Sequence, residues 1–203
     1  MRDFGYSRRA RDVNEAQAEV HAAFRELVNR NDHGDPRTRR WLDAIEAFRT
    51  ACARVYPDPL RQVDLGAKRA SQIDTADMLD FLEADPVFYR SGYMKEKLLT
   101  ELKRRKLNQH EVARLQAIIV NVVQKPGYRR EFIRYCRAAV SVDDRRFRSE
   151  LEALERSVNP DVGQRANWVL AALGGKWLDL KKAARGYERH GVKYSQTPKP
   201  RVQ

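Results

Sequence analysis

The sequence contains little cysteine, with Cys52 and Cys136 as its two copies. Two cysteines are too few for a disulfide framework, and each falls on an apolar face of a predicted helix, so we expect buried free thiols in a reducing compartment. Long apolar runs are also missing. The segment Ala117–Val123 is interrupted by Asn121 and falls well short of the roughly 18 residues that a membrane span needs. No apolar signal-peptide core follows Met1, and we therefore expect a cytoplasmic protein with no membrane partner.

The sequence also lacks the common catalytic and cofactor motifs. It has no phosphate loop, no dinucleotide fingerprint and no serine or cysteine nucleophile paired with a base. His21, His110 and His190 are isolated, which leaves no zinc spacing. The one cluster that resembles a metal site consists of Asn31, Asp32, His33 and Asp35. Because these four residues are nearly contiguous at a turn between two predicted helices, capping explains them better than metal binding. We expect neither a metal nor a cofactor.

Charge, in contrast, is abundant and unevenly distributed. Charged residues make up 33% of the chain and the net charge is +12. Residues 1–86 hold 14 Lys and Arg against 16 Asp and Glu, whereas residues 87–203 hold 26 against 12. An asymmetry of this kind indicates that the C-terminal half faces an acidic partner.

Apolar residues recur at helical spacing through most of the chain, and the 10 glycines and 8 prolines lie mostly between the periodic segments. This pattern predicts an all-α protein, either a helical bundle or a short stack of antiparallel helix pairs. A strand would compete only at Ala117–Val123, where the β-branched content is high. Its capped and periodic flanks favour a helix there.

The pattern also predicts the organisation of the chain. Residues 1–58 are expected to form a basic arm (1–11) followed by a helical hairpin, and residues 59–74 a linker that contains at most a short helix. Residues 75–189 are expected to form a basic stack of helices, and residues 190–203 a disordered tail.

Capping signals mark several predicted helix ends. Asp35 followed by Pro36 suits a helix start, and Gly174-Gly175 suits a left-handed stop. Either Ser141 or Asp143 is expected to cap the helix that carries Phe147.

The most apolar helix is predicted at Asn108–Lys125. Asn108 and Glu111 have the spacing of a capping box. The apolar residues that follow are Val112, Leu115, Ile118, Ile119, Val122 and Val123. They cover more than one stripe of the helix, so this helix must be covered on more than one side and is expected to be central.

From Ser91 onward the helices come in short-looped pairs. Residues Tyr93–Leu99 lie 35 positions ahead of the similar segment Tyr128–Ile133, an offset in the range of helical-hairpin repeats. Residues Gln164–Gly174 resemble the second helix of a HEAT-type repeat, and residues 91–174 together resemble HEAT-like α-helical repeat proteins. The resemblance implies a curved stack that presents one helical face to a partner. A compact irregular bundle is the alternative.

Three groups of cations are candidates for contact with an acidic partner. The candidate nucleic-acid-binding residues are Lys103, Arg104, Arg105, Lys106, Arg130, Arg134, Arg137, Arg145, Arg148, Lys181, Lys182 and Arg185. The first four form the densest basic run, and the arginines are spaced to lie in rows on adjacent helices, where they could pair with phosphates. Lys181, Lys182 and Arg185 accompany Trp177 and Tyr187, which could stack on bases or dock the last helix on the core.

Each group also has a structural explanation. Cations at a helix C-terminus complement its negative end, and an exposed arginine row can be a solvated face with pairs such as Arg148 to Glu152. The leading hypothesis is a non-enzymatic module that binds nucleic acid, DNA or RNA, through a basic helical face in residues 90–189.

The alternative hypothesis is a helical scaffold that binds an acidic protein or serves as a subunit of a larger assembly. A third hypothesis comes from the resemblance, because HEAT-like DNA glycosylases are basic helical enzymes with an acidic residue beside tryptophans. The one acidic cluster to consider for catalysis here is Asp143-Asp144, for which helix capping is the competing explanation.

Overall fold

The computed structural model describes residues 4–126, 129 and 131–176, and its secondary structure confirms an all-α fold. The described helices are α1 (Tyr6–Glu26), α2 (Pro36–Arg54), α3 (Leu60–Asp64), α4 (Thr75–Ala84), α5 (Ser91–Leu102), α6 (Gln109–Gln124), α7 (Phe132–Ala139), α8 (Arg145–Glu155) and α9 (Pro160–Leu173). Short 3-10 turns occur at Ala70–Gln72 and Val140–Val142. Among the helices of these ranges, none combines the length and the apolar character needed to cross a membrane. The predicted tail, residues 190–203, lies outside the described residues.

The chain divides into two compact units, and the division falls between Met94 and Lys95, inside α5. In the first unit α1 and α2 form the predicted antiparallel hairpin. Asp35 caps α2 by accepting a hydrogen bond from the Arg37 N–H at 2.8 Å, and Pro36 occupies the first helical position. Asp32 accepts the Gly34 N–H in the same turn. The turn interpretation of this polar cluster is therefore confirmed.

Helix α1 begins earlier than the sequence pattern predicts. Tyr6 and Ala10 are buried, and the Tyr6 ring packs edge-on against Phe81 of α4 at 5.3 Å between centroids. Arg9 donates from Nε to the Phe4 carbonyl at 3.1 Å and from Nη1 to the Arg54 carbonyl. The prediction of a flexible arm over residues 1–11 is thus wrong from Tyr6 onward, because these apolar side chains extend the helical repeat into the arginine-rich segment.

Small side chains form the contact between α1 and α2. Ala23 on α1 and Ala44 on α2 are buried, and Thr38 is fully buried with its hydroxyl donating to the Asn29 carbonyl. On the polar face of the hairpin, Arg40 pairs with Glu19 and Glu26 at 2.9 Å and 2.6 Å. The larger apolar residues of both helices therefore lie together on the opposite face.

The core of the first unit covers only one half of that apolar face. Around Tyr6 and Phe48, the rings of Phe81, Tyr56 and Tyr89 pack at centroid distances below 6 Å. These rings do not cover the other half of the apolar face, which lies nearer to the α1–α2 turn. Residues 59–74, predicted as a linker, include α3, and the side chains of Leu60, Val63 and Ile73 there are buried in the core of the first unit.

The second unit is arranged around α6, as the sequence predicts. The capping box is present: Asn108 accepts the Glu111 N–H at 3.0 Å, and Glu111 accepts the Asn108 N–H at 2.9 Å. The buried residues of this helix are Leu115, Ile118, Ile119, Val120, Val122 and Val123. Helices α7, α8 and α9 all pack against it. The helical prediction for Ala117–Val123 is confirmed.

Helices α8 and α9 approach each other closely at a glycine. A Cβ atom on Gly163 would lie 2.7 Å from the Glu155 carbonyl oxygen, a distance that no real side chain tolerates. At the other end of α9, the Gly175 N–H bonds the Ala172 carbonyl at 3.1 Å and the Lys176 N–H bonds the Ala171 carbonyl at 2.9 Å. With Gly175 at φ +75°, this is a Schellman motif, and the predicted left-handed stop is confirmed.

Two buried cations are part of the second unit's interior. Lys95 is fully buried, and its Nζ lies 3.8 Å from Oε1 of Glu131, which is 9% exposed. Arg165 on α9 is 3% exposed, and its Nε donates to the Val123 carbonyl in the last turn of α6 at 2.8 Å. These side chains serve the packing of the unit, so the total count of basic residues overstates the charge available at its surface.

Candidate functional site

The densest basic run lies in the connection between α5 and α6. The sequence pattern predicts a helix from Ser91 that extends through Lys103–Lys106. In the structure α5 ends at Leu102, and Lys103–Lys106 forms a turn. Arg105 pairs with Glu101 at 3.4 Å and is half-buried. The side chains of Lys103, Arg104 and Lys106 are exposed and have no hydrogen bond or ion pair to the described residues. Three of the four cations are thus available to a partner.

The predicted arginine row on α7 is partly committed to internal contacts. Arg134 is half-buried, and its Nε lies 3.5 Å from Glu96 Oε2 on α5. Arg137 is also half-buried. Arg130, the third member of the row, lies outside the described residues. The row therefore includes at least one arginine that helps to join α7 to α5.

The two predicted arginines of α8 differ in their surroundings. Arg148 forms a two-bonded ion pair with Asp143, with Nε at 2.8 Å from Oδ1, and its Nη2 also approaches the Leu173 carbonyl at the end of α9 at 3.4 Å. The hydrogen-bonded pair with Asp143 is the main cause that raises the pKa of the Arg148 guanidinium, and the charge of Glu152 adds to it. Arg145 is exposed and has no partner among the described residues.

Helix α6 connects the basic turn with the start of α8. Gln116 on α6 donates at 2.7 Å both to the Val142 carbonyl and to Asp144 Oδ2, just before Arg145. Gln116 lies seven residues after Gln109, the first residue of α6, which corresponds to roughly 11 Å along the axis. The basic turn precedes α6 directly. The contact that holds the start of α8 is therefore about two helical turns from the α6 N-terminus.

The first turn of α8 carries an unexpected charge. Arg145 and Arg146 open the helix, and this turn has no acidic residue. Because the N-terminus of a helix is its positive end, cations there are unfavourable for the helix itself. The N-cap carboxylate of Asp144 interacts with Arg146 and offsets part of this cost, whereas Arg145 is exposed and has no partner among the described residues. Arg146 is absent from the predicted site, although its position beside Arg145 at a helix start was a readable signal.

Asp143 and Asp144, the one acidic pair considered for catalysis, both take part in local structure. Asp144 is the N-cap of α8 and accepts the Phe147 N–H at 2.8 Å, so the predicted cap at Ser141 or Asp143 is wrong by one to three residues. That N–H and the Gln116 amide hold the pKa of Asp144 below its usual value. Asp143 pairs with Arg148. Local structure therefore accounts for both carboxylates, capping for Asp144 and the ion pair with Arg148 for Asp143.

The first unit contains an open groove of ≈ 670 Å³ along the polar face of the hairpin. It is lined by Arg8, Arg9, Asp12, Asp43, Glu46, Ala47, Thr50, Ala51 and Arg54. Cations and carboxylates are equally represented along it, so this groove does not offer the single sign of charge that a phosphate-rich ligand needs.

Three predicted site residues, Lys181, Lys182 and Arg185, lie outside the described residues, as do Trp177 and Tyr187. Comparisons with protein-family models, with curated proteins and with solved structures gave no match.

Proposed function

We propose that this protein binds nucleic acid without catalysis, mainly through phosphate contacts, and that the cationic end of the second unit is the binding surface. The cationic end consists of Lys103, Arg104, Lys106, Arg145 and Arg146. The observation that carries the proposal is that Lys103, Arg104, Lys106 and Arg145 are exposed and have no ion pair with the described residues. Exposed cations that no internal carboxylate neutralises are available to an external anion.

The geometry of the helix ends supports an anionic ligand. The basic turn directly precedes α6, and Arg145 and Arg146 open α8, where the positive dipole end of a helix favours an anion. The rise of roughly 11 Å from Gln109, which follows the basic turn, to Gln116, which holds the start of α8, is comparable to the axial rise of about three base pairs. Arg130, Arg137, Lys181, Lys182 and Arg185 stay predicted contacts. Arg105, Arg134 and Arg148 would support the surface through their ion pairs.

The test compares two triple variants of equal charge change in the full chain. K103E/R104E/R145E alters the cationic end, and R30E/R61E/K68E alters exposed cations of the first unit that have no side-chain partner among the described residues. Fluorescence anisotropy with a labelled DNA duplex and with single-stranded DNA and RNA measures the affinity across salt concentrations. We expect the first variant to lower the slope of log K against log salt by about 2.7 on the duplex and about 2.1 on single strands. The control variant should leave the slope nearly unchanged.

Two results would contradict the proposal. One is undetectable binding of every probe at low salt, and the other is an equal loss of affinity in the two variants. The alternative of an acidic protein partner uses the same cations and predicts a different outcome. A protein that stays bound to the wild-type chain after nuclease treatment, and is released by K103E/R104E/R145E, would favour the scaffold function.

A further inference from the structure

The hairpin of the first unit has an apolar surface that its own core leaves uncovered. We call it the distal hairpin face, and it consists of Val20, Phe24, Leu27, Val28, Trp41, Leu42 and Ile45. The exposed fractions of Phe24, Val28 and Leu42 are 59%, 76% and 38%. The Phe24 ring contacts only the ring of Trp41 among the described aromatic residues, at 6.2 Å. A surface with this many exposed large apolar side chains is typical of an interaction site.

Helix packing explains why the face exists. The contact between α1 and α2 is made by small residues such as Ala23 and Ala44, which lets the helices approach closely. The larger residues recur at three- and four-residue spacing on the adjoining stripe, from Val20 to Leu27 on α1 and from Trp41 to Ile45 on α2. Two helices with their large side chains on one common side form a shallow groove, which a third helix can fill.

The charges that border this face select the chemistry of the partner. By helical spacing, His21 and Arg25 border the face on α1, and Arg39 and Arg49 border it on α2, with Glu46 between the latter two. The Arg40 pairs with Glu19 and Glu26 lie on the opposite side of the hairpin and keep these carboxylates away from the groove. Glu46 lies 3.8 Å from Arg49 and offsets its charge, so the border is positive through Arg25 and Arg39.

We infer that the distal hairpin face docks an amphipathic helix of a partner protein, one whose apolar stripe is flanked by acidic residues. An acidic flank would lie beside Arg25 and Arg39, which gives charge complementarity along the groove. A second copy of this chain would place the same basic border against itself, and like charges disfavour that arrangement. The docking site lies in the first unit and shares no residue with the cationic end.

The experiment uses the full chain and a defined probe. The probe is a dye-labelled helical peptide of about 18 residues, or five turns, with a leucine stripe and glutamates on both flanks. A second peptide replaces every glutamate with lysine. Titration by fluorescence anisotropy should show binding of the glutamate peptide and much weaker binding of the lysine peptide.

Two pairs of variants assign the binding to the face. Phe24→Ser should weaken the glutamate peptide about 5- to 20-fold, because it removes a largely exposed aromatic anchor. Leu65→Ser is the matched control, since Leu65 is 66% exposed elsewhere in the first unit, and it should change nothing. R25E/R39E should reverse the preference between the peptides, while R61E/K68E should not.

Three outcomes would overturn the inference. The first is equal or tighter binding of the lysine peptide, or no binding of the glutamate peptide. The second is a dimer in sedimentation of the free chain that Phe24→Ser dissociates, which would assign the face to a second copy. The third is Phe24-dependent binding to phosphatidylserine vesicles with no peptide binding, which would assign it to a membrane surface.

Discussion

The buried pair of Lys95 and Glu131 permits a sharp test of the interior of the second unit. Lys95 is fully buried, Glu131 is 9% exposed, and their charged atoms lie 3.8 Å apart. At an effective dielectric constant of about 20, two unit charges at that separation attract by roughly 4 kcal/mol. Removing one partner leaves the other charge buried without this counter-charge, which costs about 3–5 kcal/mol in comparable sites. The two estimates agree.

Three variants separate the pair energy from the cost of desolvation. We expect Glu131→Gln and Lys95→Met each to lower the free energy of unfolding by about 3–5 kcal/mol. The double variant should recover most of that loss, because no buried charge is left to desolvate. Because the two single losses sum to about 6–10 kcal/mol and the double variant loses little, the coupling energy from this cycle should be about 5 kcal/mol or more. Urea unfolding followed by circular dichroism gives the free energies, and hydrogen exchange of α6 peptides confirms that the second unit is affected.

The first unit supplies a control with the same geometry at the surface. Arg49 and Glu46 are also 3.8 Å apart, but their side chains are 73% and 72% exposed. Glu46→Gln should therefore change stability by a few tenths of a kcal/mol at most. If Glu131→Gln costs no more than Glu46→Gln, burial does not control the energy of this pair and the reasoning is refuted.

Two further predictions concern the core of the second unit. Ile119→Asp places a charge at a fully buried position of α6 and should unfold the unit with loss of nucleic-acid binding, whereas Ala117→Asp on the exposed side should lower the free energy of unfolding by less than about 1 kcal/mol. Hydrogen exchange and binding assays check both variants. A folded Ile119→Asp chain that does not bind would show that α6 does more than hold the neighbouring helices in place. Burial raises the pKa of the Cys136 thiol, and Cys52 is only half-buried with a pKa also raised by burial. Iodoacetamide should therefore modify Cys52 first and Cys136 only after unfolding, as measured by mass spectrometry. Equal rates of modification of the two thiols in the native protein would show that Cys136 is accessible.

Local signals in the sequence predicted several features of the fold correctly. The box of Asn108 and Glu111, the Asp35-Pro36 start and the Gly174-Gly175 stop all depend on residues within one turn of each other. The central position of α6 followed from its apolar width, because a helix that is apolar over most of its circumference has to be surrounded.

Features that depend on distant partners could not be predicted in the same way. Helix packing decides whether Arg134 faces solvent or Glu96. It also decides whether Arg148 pairs with Asp143 or with Glu152. The choice of Asp144 as the α8 cap similarly depends on Gln116, 28 positions away. Charge spacing on a helix therefore identified candidate cations, and tertiary contacts determined which of them are exposed.

The close approach of α8 and α9 at Gly163 limits which sequences this fold accepts. Even the single methyl group of alanine would collide with the Glu155 carbonyl oxygen and would force α9 away from α8. Surface cations can be exchanged between neighbouring positions with little effect on folding, but this glycine has no substitute. Selection in natural relatives should therefore keep the segment Asn-Pro-x-x-Gly at 159–163 longer than the basic residues, which makes it the better marker of distant kinship.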